Sequence, residues 1–99
     1  MKEREGRKNK NIRVVLKDGE ESFPGIITNF SKTGISIKTD RVFPTYKAID
    51  VLVKIGQKVI PLKGSVRWVH EAGRDSEDKQ NEMGLLLHNP PPEYLEYFD

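Results

Sequence analysis

The chain has 99 residues, 32% of them charged and 35% hydrophobic, which fits one compact domain with a modest core and polar ends. It has no cysteine, which excludes disulfide frameworks and thiolate metal sites, and no apolar run near the ~18 residues of a membrane-spanning helix. The net charge of +2 is uneven: residues 1–13 carry six basic groups against Glu3 and Glu5, so the remainder is net acidic.

In chain order, "MKEREGRKNKN" (residues 1–11) has one apolar side chain, Met1, and reads as a flexible basic arm that needs an anionic partner to dock. Residues 12–99 read as the folded domain. Ile12, Val14 and Leu16 alternate as a strand, and Asp18-Gly19 offers a turn. Phe23 to Thr28 is the returning strand, with Pro24 near its start, where a missing N–H is tolerable. The stretch "ITNFSKTGISI" (residues 27–37) breaks in a polar turn and resumes as a strand ending at Thr39.

"DRVFPTY" is a loop. Ile49, Val51, Val53 and Ile55 alternate strictly, and "GQK" closes a tight turn. Ile60, Leu62, Val66 and Trp68 then share one face of the next strand, which favours core packing for Trp68 over an aromatic surface presented outside. Gly64, at the skipped position, marks a bulge or a close backbone approach. Residues 71–81 are a polar loop, and Met83, Leu85 and Leu87 form the last strand. Asn89 is placed to cap a short helix with Pro90 at its first position, and Tyr94, Leu95 and Phe98 to form its apolar face. The fold class expected is all-β: a small antiparallel Greek-key-like barrel of about six strands with a short C-terminal helix.

Catalytic groups are not evident. His70 and His88 lack ligand spacing and any acid–base motif, and no Gly-rich phosphate loop opens a helix. The reading is a protein that is not an enzyme and has neither metal nor cofactor. Asn29-Phe30-Ser31 matches a glycosylation sequon, but without a signal-peptide core the match is accidental and the expected location is cytoplasmic. The turn itself supports two readings. Asn29 and Ser31 can cap backbone groups while Gly34 takes a positive φ, which makes a sound hairpin. Alternatively, Ser31 can donate to a phosphate oxygen, Asn29 can read a base edge, and the turn amides can form an anion-binding concavity.

The basic arm, the strand pair, Asn29-x-Ser31-x-x-Gly34, "GSVRW" (residues 64–68) and "EMGLLL" (residues 82–87) together resemble the PilZ domain family, from about residue 4 to residue 95. The resemblance implies a bacterial receptor for cyclic di-GMP, with the ligand between the arm and the Asn29–Gly34 turn. The family's Arg-x-x-x-Arg element is approximated here: Arg4 and Lys8 have its spacing, Arg4 and Arg7 its chemistry. A guanidinium forks onto phosphate or guanine and stacks on a base, whereas an ammonium does neither well. The implied ligand residues are therefore Arg4, Arg7, Lys8, Asn29, Ser31 and Gly34. Binding would order the arm and change contacts with a downstream protein, as in control of motility or biofilm formation. The alternative is a PilZ-like interaction module that binds no nucleotide. A small barrel binding RNA or single-stranded DNA is more distant, because most of the aromatics fall at core or helix positions rather than on a stacking platform. No membrane insertion is expected.

Overall fold

The computed structural model describes residues 12–72 and 80–97, so the basic arm and Phe98 lie outside the described residues. Six strands follow in sequence: β1 (Ile12–Asp18), β2 (Glu21–Phe30), β3 (Gly34–Thr39), β4 (Ala48–Ile55), β5 (Lys58–His70) and β6 (Asn81–Leu87). They close into an antiparallel barrel in the order β1-β2-β3-β6-β5-β4, with β1 paired to both β2 and β4. Consecutive strands β3 and β4 are not neighbours, and β6 runs between β3 and β5, as expected of a Greek-key-like path. A short helix, α1 (Pro92–Glu96), follows. No described helix is long and apolar enough to cross a membrane.

Alternation sets the register. Val14, Leu16, Ile37, Val51, Val53 and Leu62 all point inward and are buried. Each contributes about 1.5–3 kcal/mol of transfer free energy, and a one-residue slip would turn all of them to water. Two tight hairpins help to fix that register: Gly19 (φ 65) lies between paired Asp18 and Glu21, and Gly56 (φ 61) between paired Ile55 and Lys58. The interior polar side chain Thr39 is satisfied by donating to the Pro24 carbonyl at 3.0 Å.

Both strand prolines lie where their strand has one neighbour. Pro24 pairs with Val15 of β1, while the β2–β3 ladder begins only at Ile26. Pro61 pairs with Leu52 of β4, while the β5–β6 ladder begins only at Gly64. A missing N–H costs no ladder bond on an open side, and a proline there also blocks pairing with a foreign strand.

The helix does not begin at Asn89-Pro90. Asn89 takes a left-handed φ of 49°, Pro91 is extended (ψ 160°), and Pro92 is the first helical residue. A residue before proline is sterically pushed out of the α region, so in "NPPPE" only the last proline can open a helix. Nor is Trp68 in the core, for it is 46% exposed. The β5–β6 register shifts between Val66 and Trp68, so Arg67 is an extra residue and both Arg67 and Trp68 face outward. Gly64 sits in unbroken register. A Cβ there would lie 2.9 Å from the Leu86 carbonyl oxygen, so close approach, not a bulge, accounts for the glycine.

Candidate functional site

β2 carries a matching irregularity, between Ile27 and Asn29. Ile27 and Phe30 are both buried, so the two residues between them, Thr28 and Asn29, both face out. The two bulges thus present two pairs of neighbouring side chains, Thr28-Asn29 and Arg67-Trp68, on either side of β3 and β6. Ladder pairing joins them into one row: Asn29 opposite Ser36, Ser36 opposite Gly84, Gly84 opposite Trp68. At ~4.8 Å between strands the row is about 14 Å long.

Glycine at position 84 shapes this row. A Cβ at Gly84 would run into the Trp68 indole, so its absence lets the ring lie across β6. The result is a groove of about 410 Å³ with Trp68 at one end, Asn29 at the other, and Ser31, Ser36, Gly84 and Arg67 along it.

The turn at the Asn29 end is heavily cross-braced. The Ser31 N–H donates to the Gly34 carbonyl at 2.9 Å. The Ser31 hydroxyl accepts from the Gly34 N–H at 3.3 Å and the Thr33 N–H at 3.4 Å, and also donates to the Gly34 carbonyl at 3.3 Å. The Leu87 N–H donates to the Thr33 carbonyl at 2.9 Å, which ties the turn to β6. Gly34 does not take the positive φ expected of it. A Cβ there would sit 2.9 Å from the Leu85 carbonyl oxygen, so glycine is required by close packing against β6.

A further brace comes from the far end of the chain. The Tyr94 hydroxyl of α1 donates to the Ser31 carbonyl at 2.6 Å, and Tyr97 stacks on Phe30 with centroids 5.8 Å apart. Tyr94 is buried in the core, and that burial pushes its phenol above the ordinary tyrosine range.

Of the residues expected from sequence, Asn29, Ser31 and Gly34 meet at this groove. Arg4, Arg7 and Lys8 lie outside the described residues. Arg67 and Ser36 also line the groove without a sequence motif that marks them, and Trp68 presents an aromatic surface, the reading that its alternating strand disfavours. The sequence carries a glycine at 84 within the last strand and a single tryptophan at 68, but that the two are opposite depends on a cross-strand register that the sequence does not display. Among the described residues no cluster of His, Asp and Glu could hold a metal ion.

The chain belongs to the PilZ domain family, whose model matches residues 2–97. Among solved structures it is similar to the Bacillus subtilis inhibitor of motility MotI/DgrA, with TM-score 0.77 and 14% identity, over 99% of this chain and 48% of that one. The chain thus spans about half the length of MotI/DgrA. It is also similar to the PilZ domain of YcgR from Escherichia coli, a structure with c-di-GMP, with TM-score 0.67 and 12% identity over 89% of this chain and 76% of that one. At these identities the likeness is one of fold. None of the curated proteins matches the chain in sequence.

Proposed function

We propose that this PilZ domain is a non-catalytic cytoplasmic receptor for cyclic di-GMP, which it holds between the N-terminal arm and the bulge-flanked groove. The observation that carries this reading is the registered row Asn29–Ser36–Gly84–Trp68. It offers an amide for a guanine edge, an aromatic face for a purine, and between them the small Ser36 side chain and the bare backbone of Gly84. Membership of the PilZ family and the c-di-GMP in the YcgR structure support the choice of ligand.

In this reading Asn29 pairs with a guanine edge, and Ser31 and Gly34 hold the turn against β6 beside a phosphate. Trp68 and Arg67 meet a base and a phosphate at the other end. Arg4, with Arg7 or Lys8, closes over the ligand from the arm. Fixing the arm costs ~1–2 kcal/mol per residue. Charge-assisted hydrogen bonds return ~1.5–3 kcal/mol each, and stacking on the indole ~1–3 kcal/mol per base. Several contacts are therefore needed at once, and the loss of one arginine is severe. The docked arm is the signal that a downstream protein reads.

Trp68 is the only tryptophan, so its fluorescence reports on this groove alone. Titration with cyclic di-GMP should quench it, release heat in a calorimeter, and shift amides within residues 28–36 and 67–69. Absence of heat and of shifts at several hundred micromolar ligand (about −5 kcal/mol of binding free energy) would sink the reading in favour of an interaction module without nucleotide. Arg7→Ala should lose most of the affinity. If it binds as well as wild type, the arm docks differently.

A further inference from the structure

The opposite half of the barrel carries a second outward row. Pro24 of β2 pairs with Val15 of β1, Val15 with Leu52 of β4, and Leu52 with Pro61 of β5. All four face outward: the prolines are exposed, Val15 and Leu52 half-buried. Charge borders this apolar row on both sides. Two residues along in one direction, Lys17 pairs with Asp50 and Asp50 with Lys63, whose ammonium binds the Asp50 carboxylate at 3.2 Å. Two residues along in the other direction come Arg13 and Lys54, made neighbours by the pairing of Val14 with Val53. A depression of about 310 Å³ opens here, lined by Arg13, Val15, Pro24, Ile26 and Lys54. Asp40 at its edge accepts from Gln80 at 3.4 Å. Four cations therefore flank the row against two acids, of which Asp50 is bound by Lys63 and Asp40 accepts from Gln80.

The dimensions fit one occupant. With ~4.8 Å between strands the row is about 14 Å long, and the basic rows lie ~7 Å to either side. A helix rising 1.5 Å per residue covers 14 Å in roughly nine or ten residues. Laid along the row, it sets its apolar stripe on Val15 and Leu52 and its stripe-flanking positions over the cations. Charge complementarity requires those flanking positions to be acidic.

We infer that the β2–β1–β4–β5 face is a docking surface for an acidic amphipathic helix of about three turns on a partner protein. The chain's own arm does not suit it, because residues 1–11 hold five basic residues against two acidic. A second copy of the same face brings the same cations. Nucleic acid lacks a platform, since the row contains no aromatic. The inference stands apart from the nucleotide site, and its test uses no nucleotide.

The probe is a synthetic helical peptide of about 18 residues with a leucine stripe flanked by glutamates, titrated into the full chain and followed by amide shifts. A control peptide carries lysines at the flanks. Saturable shifts at Arg13, Val15, Leu52 and Lys54 with the glutamate peptide only are expected. Leu52→Glu and Lys54→Glu should each weaken binding about tenfold with an unchanged circular dichroism spectrum. Lys54 is exposed, so its variant keeps the charge test valid if Leu52→Glu fails to fold. The inference is overturned by equal binding of the lysine peptide, by shifts confined to residues 28–36, or by no saturable binding near 1 mM (about −4 kcal/mol). It is equally overturned if phosphatidylglycerol vesicles shift these amides and the glutamate peptide does not.

Discussion

A methyl group at Gly34 would come within 2.9 Å of the Leu85 carbonyl oxygen, an atom fixed in the β3–β6 ladder. Backbone cannot rotate away as a side chain can. Gly34→Ala should therefore destabilise the fold by about 1–3 kcal/mol, read as a lower urea midpoint. An unchanged midpoint would mean that the strands separate there at no cost. Gly84 has the opposite kind of neighbour, the indole of Trp68, which can swing outward. Gly84→Ala should cost less stability, within about 1 kcal/mol, but shift the tryptophan emission to the red and weaken cyclic di-GMP binding. If emission is unchanged, the ring does not lie across β6. The two glycines separate what holds the site together from what shapes its surface.

At the scale of elements, α1 braces the turn from 63 residues away through Tyr94. Tyr94→Phe leaves the Ser31 carbonyl without this donor and should cost about 1 kcal/mol, lowering nucleotide affinity more than thermal stability. The sign of its pH effect follows from burial. The phenol's pKa is raised in the folded state above its ordinary 10.0, so the folded chain holds that proton more tightly than the unfolded chain. This contribution is complete below pH 10 and is lost as pH rises beyond it. Wild type should therefore lose stability between about pH 10 and 11.5 more steeply than Tyr94→Phe, in paired urea titrations. Equal slopes would show that Tyr94 is not the group that titrates. No local pattern announces the Tyr94–Ser31 bond, and the bulges hide in the same way. Strict alternation exposes β1 and β4 in the sequence because each residue's face depends on its neighbours along the chain. Asn29 and Trp68 break that rule, because an extra residue is defined only against the partner strand, and the sequence does not show the partner. The helix start differs: the pre-proline constraint in "NPPPE" was local and readable, but the Asn-Pro cap pattern at Asn89 competed with it.

At the scale of the molecule, the six strands of the described residues lie within Ile12–Leu87, and the barrel closes through β1–β4 pairing. The basic charge is distributed the other way, since residues 1–13 hold six of the chain's basic groups while the rest is net acidic. The proposed function therefore puts folding and ligand capture in different parts of one short chain. A protein lacking residues 1–11 should unfold within about 0.5 kcal/mol of the full chain, with Trp68 emission unchanged, yet show no heat with cyclic di-GMP. The full chain's affinity should fall as ionic strength rises from about 0.05 to 0.5 M, because a dianionic ligand and a basic arm attract through screened charge. The shortened chain has no such dependence to lose. If it binds cyclic di-GMP like the full chain, the groove alone is the receptor and the arm serves another surface. If instead it unfolds, the arm belongs to the fold and the division of labour is wrong. The glutamate peptide should bind both forms equally, which separates the helix-docking face from the nucleotide site in a single pair of proteins.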